Sequence, residues 1–267
     1  ISINHPVFGA DGYKSIIAKE INKKHNKPVI YNDIDHSYKE LTISSKNNDF
    51  QLTPNALHIW PRHDLMLIAL PNQNKSFTCT LFMKNNGTPS FKTINDKKSI
   101  MSFFETNFND TLPLIKNLPE QFLANPVGKL ISINNSNWHY KDKACVLGDA
   151  AHAIVPFYGQ GMNASFEDCT KLCEIIKETQ SWDDIFYSFQ KERKKDTDAI
   201  SDLSFNNYNI MKNEVLNKEH EIKKELSFKL NEMFPNYFIP EYSMISFTNI
   251  PYLEARRRGK IQDKILN

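Results

Sequence analysis

The stretch from Ala144 to Glu178 constrains this chain more than any other. Ala144–Leu147 is a short apolar run suited to a buried strand, and it stops at Gly148-Asp149. Past Ala150-Ala151-His152 and Pro156-Phe157-Tyr158, the run Gly159-Gln160-Gly161-Met162-Asn163 opens a helix-patterned segment from about Met162 to Glu178. A strand feeding a helix through a glycine-rich turn is the building unit of an α/β layer. Its chemistry is specific. Asp149 stands where the chain leaves the strand, and a carboxylate there can accept hydrogen bonds from sugar or polyol hydroxyls. Gly148, Gly159 and Gly161 let backbone approach a flat or phosphorylated ligand. The first amides of the helix, at Gly161, Met162 and Asn163, lack intrahelical partners. They favour negative charge by about 0.3–1 kcal/mol, and by about 2 kcal/mol when partly buried. An ordinary turn before a helix satisfies the same spacing, so the pattern by itself leaves both readings open.

The rest of the chain supplies a sheet and several helices. Ile1, Ile3, Val7 and Phe8 read as a strand that breaks at Gly9-Ala10-Asp11-Gly12, and Ser15 to Lys23 as a short helix. Residues 28–50 are polar with alternating segments. Leu57–Arg62, Leu65–Pro71 and Phe77–Met83 read as strands, the last two joined by a turn at Asn72-Gln73-Asn74-Lys75. Strand side chains alternate between faces, so Met66, Ile68 and Leu70 share one face, and Thr78, Thr80 and Phe82 lie opposite them on it. An ordinary sheet face covering a core fits as well. Ile100, Phe103, Phe104 and Phe108 mark a helix over 98–109, and Pro113, Pro119 and Pro126 mark a loop-rich passage. A long helix starts after Ser181 and runs to near Asn217, a second covers 219–233, and 234–253 reads as extended and aromatic. On the long helix Ile200, Leu203, Asn207 and Met211 form one stripe. Asn207 is its polar exception, either a ligand contact or a satisfied structural amide. The basic run Arg256-Arg257-Arg258-Gly259-Lys260 reads as a solvated helix face.

Bulk properties exclude several classes. With 33 Lys+Arg against 31 Asp+Glu, the net charge is +2, too small to make nucleic acid or an anionic membrane the main partner. No apolar run reaches the length of a membrane span, and no secretory leader is seen. Cys79, Cys145, Cys169 and Cys173 lack the spacing of a metal site and read as reduced thiols in or near a core. His152 is a lone histidine beside small residues, so a structural or cofactor-packing role is favoured over acid/base chemistry. The chain begins at Ile1 and carries only 8 glycines in 267 residues. Both features lead us to expect that a glycine-bearing N-terminal part is absent.

Taken together, Gly148-Asp149-Ala150-Ala151-His152, Pro156 and Gly159-Gln160-Gly161-Met162-Asn163 resemble the second FAD-binding motif of the group A flavoprotein monooxygenases. Gly9-Ala10-Asp11-Gly12 resembles their middle motif. The first motif of that family, G-x-G-x-x-G, has no match in the chain, so FAD binding by this stretch alone is expected to be weak. His36–Leu41, Leu57–Arg62, Ile68–Asn72, Ser76–Phe82, Ala150–Asn163, Phe166–Cys169 and Tyr242-Ser243-Met244 are similar to the kynurenine 3-monooxygenase branch of the family.

The resemblance implies a mixed α+β and α/β architecture: a partial Rossmann-like FAD domain, an inserted antiparallel β-sheet substrate domain and C-terminal helices. It divides the chain into 1–27 with 140–180 for FAD, 28–139 for substrate, and 181–267 for the helical region. It implies FAD as bound cofactor, NADPH as transient hydride donor, and hydroxylation of L-kynurenine by O2 through a flavin C4a-hydroperoxide. Asp11, Gly12, Gly148, Asp149, Pro156, Gly159, Gly161, Met162 and Asn163 would meet FAD. Met66, Ile68, Leu70, Thr80, Phe82, Phe157, Tyr158, Asn207, Met211 and Tyr242 would meet substrate. No catalytic side chain and no metal are implied, and the arginine and tyrosine that hold the substrate carboxylate would precede residue 1. Location in a bacterial cytoplasm is expected, or at the mitochondrial outer membrane for a eukaryotic protein with a further anchor. The alternatives are hydroxylation of another aromatic acid, or a non-catalytic remnant of the fold.

Overall fold

The computed structural model describes residues 5–211 and 217–266; the strand reading at Ile1 and Ile3 and the helix reading over 212–216 lie outside the described residues. In chain order the strands are β1 (Val7–Gly9), β2 (Ile30–Ile43), β3 (His58–Arg62), β4 (Leu65–Pro71), β5 (Phe77–Lys84), β6 (Val127–Asn134), β7 (His139–Tyr140) and β8 (Ala144–Val146). The α-helices are α1 (Ile16–Lys24), α2 (Lys97–Asn107), α3 (Leu118–Ala124), α4 (Asp149–His152), α5 (Gly161–Glu178), α6 (Trp182–Asn209), α7 (Lys218–Met233), α8 (Glu241–Phe247) and α9 (Tyr252–Leu266). Among the described residues no helix is long and apolar enough to cross a membrane. The chain divides into two compact units: residues 1–32, 131–208 and 218–267, and residues 33–130 with 209–217.

The first unit is built on a three-stranded sheet in the order β1-β8-β7. β1 and β8 are parallel, with Phe8 opposite Cys145, and β7 runs antiparallel to β8. Helix α1 starts as read: the Ser15 side chain accepts from the Ala18 amide and serves as N-cap. The core of this unit joins Trp138, Cys145 and Val146 of the sheet region to Leu172 and Ile175 of α5 and to Ile185, Phe186 and Phe189 of α6. The helices after 181 group with the first unit, because the apolar face of α6 buries against the same strands that carry Gly148-Asp149.

The second unit holds a sheet in the order β3-β4-β5-β2-β6, with antiparallel pairing from β3 through β2. Its register matches the reading of the hairpin: Met66 faces Phe82, Ile68 faces Thr80 and Leu70 faces Thr78. The opposite face supplies Leu65, Leu67, Ala69, Phe77, Cys79, Leu81 and Met83 to a core closed by α2, with Ile100, Phe103 and Phe104, and by Phe122 of α3. Lys39 also points to that buried face. Its Nζ donates to the carbonyls of Phe122 and Asn125, 2.6 Å each, where α3 ends. A cation there satisfies carbonyls that the helix leaves unpaired. Burial lowers the Lys39 pKa.

Three readings need correction. The proline-rich passage is not loop throughout: α3 occupies 118–124 with a proline in its first turn, where a missing N–H leaves no bond unmade, and β6 follows it directly. The passage 234–253 is not wholly extended, since α8 forms there with Met244 and Ile245 buried. Cys79 and Cys145 are buried, but Cys169 and Cys173 lie on the exposed side of α5. Desolvation pushes the Cys79 thiol up to about 12. The basic run does sit on helix α9, where Arg257 and Arg258 pair with Glu254 and Arg256 pairs with Asp202.

Candidate functional site

Because β1 and β8 are parallel neighbours, the segments that follow them leave the sheet at the same end. Leu147 donates its amide to the Gly9 carbonyl at 3.1 Å, so Asp11-Gly12 and Gly148-Asp149 emerge side by side at the carboxyl ends of the strands. That is where ligands settle in parallel α/β sheets. Gly148 has φ 60° and ψ −143°, a combination that only glycine adopts without strain. Asp149 then opens α4 with an exposed side chain. The Asp11 carboxylate accepts the Ile16 amide at 2.8 Å and so serves the start of α1. Partial desolvation opposes ionisation there, but hydrogen bonds from Ser15 and the Ile16 amide outweigh it and hold the carboxyl below its usual range.

The start of α5 is open. Gln160 occupies the N-cap position but its side chain does not cap the helix. Gln160 Oε1 instead accepts from Asn163 Nδ2 at 2.9 Å and from the Tyr252 hydroxyl at 3.0 Å. Met162 is 67% exposed, and nothing lies within 4 Å of a methyl placed on Gly159. Of the expected cofactor set, Asp149, Pro156, Gly159, Met162 and Asn163 are exposed and the first amides of α5 are left uncapped, whereas Gly148 is buried with its backbone hydrogen-bonded. Among the described residues no group of side chains is suited to a metal ion.

Behind this surface lies a buried ionic network that the sequence reading missed. Asp168 is fully buried and takes three donors: Gly148 N–H at 2.9 Å and His152 Nε2 at 2.5 Å, both on Oδ2, and Arg193 Nε at 2.8 Å on Oδ1. Arg193, itself buried, also donates to the Ala164 carbonyl and to Asp196 Oδ2, both at 3.1 Å. Its Nη1 also lies 3.1 Å from Glu167 Oε2. Asp196 Oδ1 in turn accepts the Leu253 amide at the head of α9. Burial would raise the Asp168 pKa, but His152, Arg193 and the Gly148 amide together lower it. The His152 ring also lies 5.3 Å from that of Trp138. The sequence signal was an acidic residue on the apolar side of α5 and an arginine in the apolar stripe of α6, neither of which can be buried alone.

A second cluster gathers substrate candidates of the first unit. Asn207 Nδ2 donates to the Phe157 carbonyl at 2.7 Å, and the Phe157 and Tyr208 rings lie 4.7 Å apart. Tyr158 and Tyr242 stack at 5.5 Å. The bond to Phe157 favours the reading of Asn207 as a satisfied amide that also fixes the Pro156–Tyr158 turn. In the second unit Met66 and Phe82 are buried, Ile68 and Thr80 are half-buried, and Leu70 is 47% exposed. Met211 also falls in that unit.

Next to Tyr242, the Glu241 side chain fills a notch in α9 where Gly259 has none. A methyl on Gly259 would fall on the Glu241 carboxylate. Burial, with Asp263 nearby, raises the Glu241 carboxyl from 4.5 to about 7 against the pull of Arg256. The folded chain therefore holds this proton to higher pH than the unfolded chain does. Its contribution to stability is full below about 4.5 and is lost as pH rises to about 7, a loss on the order of 1–3 kcal/mol. Urea midpoints at about pH 5 and about pH 8 should differ accordingly in the wild type, and the Glu241 part of that difference should vanish in Glu241→Gln.

Comparison with known proteins agrees with this geometry. The model of the FAD binding domain family matches residues 131–203. The kynurenine 3-monooxygenase of Cytophaga hutchinsonii is 43% identical over 263 residues, which is 98% of this chain and 58% of that protein. The chain is thus similar along nearly its whole length to kynurenine 3-monooxygenases, and its residues 131–203 to an FAD binding domain. It is also similar to the kynurenine 3-monooxygenases of Stenotrophomonas maltophilia, 41% identical over 97% of this chain and 57% of that one, and of Sus scrofa, 40% identical over 98% and 55%. The chain thus spans less than three fifths of the length of these relatives. Among solved structures of the fold, Klebsiella pneumoniae HpxO complexed with FAD and uric acid superposes with a TM-score of 0.63 at 12% identity, over 98% of this chain and 58% of that one. The tetrameric form of 2-methyl-3-hydroxypyridine-5-carboxylic acid oxygenase gives 0.60 at 16% identity, over 82% and 58%.

Proposed function

We propose that the chain supplies one side of the FAD site and a substrate face of an enzyme that hydroxylates L-kynurenine to 3-hydroxykynurenine with NADPH and O2. The observation that carries this reading is the match of 36–43% identity along about 98% of the chain to proteins named kynurenine 3-monooxygenase. The residues present fit FAD by their chemistry: an exposed carboxylate for polyol hydroxyls, and an uncapped helix start for the electron-rich edge of the ring. FAD, when bound, supplies the redox chemistry by which an oxygen atom enters the ring.

The chain's own residues bind, orient and exclude water. Asp149 would accept hydrogen bonds from hydroxyls of the cofactor. The amides of Gly161, Met162 and Asn163 would favour negative charge on a bound ring. Pro156, Phe157 and Tyr158 would face the flavin, and Asn207 holds that turn through the Phe157 carbonyl. Met66, Ile68, Leu70, Thr80 and Phe82 offer an apolar face to the aromatic ring. Met211 and the Tyr242 hydroxyl are further substrate contacts of this proposal, Tyr242 for the polar end. The bacterial relatives support a place in the bacterial cytoplasm.

Titration of the protein with FAD, followed by flavin fluorescence, tests the cofactor assignment. Asp149→Ala should raise the dissociation constant about tenfold, the size of one hydrogen bond to a charged group. NADPH-dependent hydroxylation of L-kynurenine, with 4-hydroxybenzoate as the competing substrate, tests the substrate assignment. Turnover of the benzoate without turnover of kynurenine sinks it.

A further inference from the structure

Asp168 is a buried charge that binding of FAD or substrate does not explain. A buried carboxylate is costly unless it is fully paired, and replacing such a pair by apolar residues is often neutral for stability. What distinguishes Asp168 is where its partners come from. It ties the Gly148 amide at the end of β8, the His152 ring at the end of α4, and Arg193 of α6 to one point on α5. The backbone it holds is the one that aims Asp149. Gly148 has the most freedom of any residue type to relax, and the conformation it adopts is one that needs holding. Its carbonyl is also engaged, by the amides of Ala151 and His152 at 2.8 and 2.9 Å, so both sides of the Gly148 residue are fixed.

We infer that Asp168 and Arg193 are positioning residues, which hold the Gly148-Asp149 turn so that the Asp149 carboxylate meets the hydroxyls of a bound polyol. This rests on the reading that Asp149 meets FAD. Arg193 acts one step further back. Its Nε bond to Asp168 and its Nη2 bond to the Ala164 carbonyl keep the carboxylate ionised and pointed at the turn. The fork geometry matters here, because lysine can supply the charge but not both bonds in their fixed orientation.

A double-mutant cycle on FAD affinity, with amide exchange of the ligand-free chain, separates positioning from mere support of the fold. Asp168→Asn should raise the FAD dissociation constant about tenfold or more and speed exchange at residues 147–152, leaving the helices of the second unit unchanged. In an Asp149→Ala background the same substitution should add little, since the contact it positions is gone. Arg193→Lys serves if Asp168→Asn does not fold, and should give a smaller effect of the same non-additive kind. Fully additive losses overturn the proposal, as does unchanged exchange at 147–152. A wild-type chain that binds no FAD strikes the reading of the site instead, and exchange at the turn then decides the positioning role alone.

Discussion

Arg193→Met is expected to destabilise the protein by about 3–5 kcal/mol, the range for removing one partner of a buried ion pair. The loss should be large because three carboxylates depend on this guanidinium. Asp168 is fully buried, Asp196 is partly buried, and the half-exposed Glu167 adds a third carboxylate beside them. Methionine fills most of the volume but leaves these charges without a cation. The pH dependence has a definite sign. The pairing depresses the Asp168 pKa below 3.8, so its contribution is present above that value and is lost as pH falls through the folded-state pKa. The gap between wild type and variant, measured by urea denaturation, should therefore be widest near neutral pH and narrow in acid. An equal gap at about pH 7 and about pH 3 would mean that lost packing, not charge, carries the effect.

Phe104→Ala should cost about 3–5 kcal/mol in the second unit. The ring is wholly buried and sits at the centre of an aromatic group. Phe103, Phe108 and Phe122 surround it at centroid distances of 5.4, 5.7 and 6.4 Å, and the pairs with Phe103 and Phe122 are edge-on. Alanine would remove those ring contacts and leave a void that α2, α3 and the sheet cannot all close. Phe104→Leu keeps much of the volume and should cost less than half as much. Tryptophan fluorescence and far-UV circular dichroism across a thermal melt would separate the units. Trp138 and Trp182 report the first unit and Trp60 the second, so an early transition confined to Trp60 is the expected signature. Loss of the Trp138 signal at the same temperature would show that the two units unfold together.

The sheet of the second unit was legible because its cause is local. Alternation in Leu65–Pro71 and Phe77–Met83, with polar residues at 72–75 between them, fixes both the turn and the face of each side chain, and the register follows. Helices α1 and α5 were legible for the same reason: a cap at Ser15 and a glycine-rich start at 159–161. The reading failed where one local signal has two meanings. A proline marks a break in mid-helix but a start in a first turn, which hid α3. Aromatic residues suit an extended strap or a short amphipathic helix, and only the burial of Met244 and Ile245 selects α8.

By itself the sequence determined which chemistry this chain can present: the Gly148-Asp149 turn, the open start of α5, and the apolar face from Met66 to Phe82. Each is set within a few residues by backbone freedom, missing helix partners or strand alternation. Tertiary structure alone decided how that chemistry is held. Asp168, Arg193 and Leu253 are brought into one hydrogen-bonded chain by the packing of α5, α6 and α9, and Glu241 is pressed into the gap at Gly259. A charge leaves water only when distant segments supply its partners together, and no short stretch of sequence records that agreement.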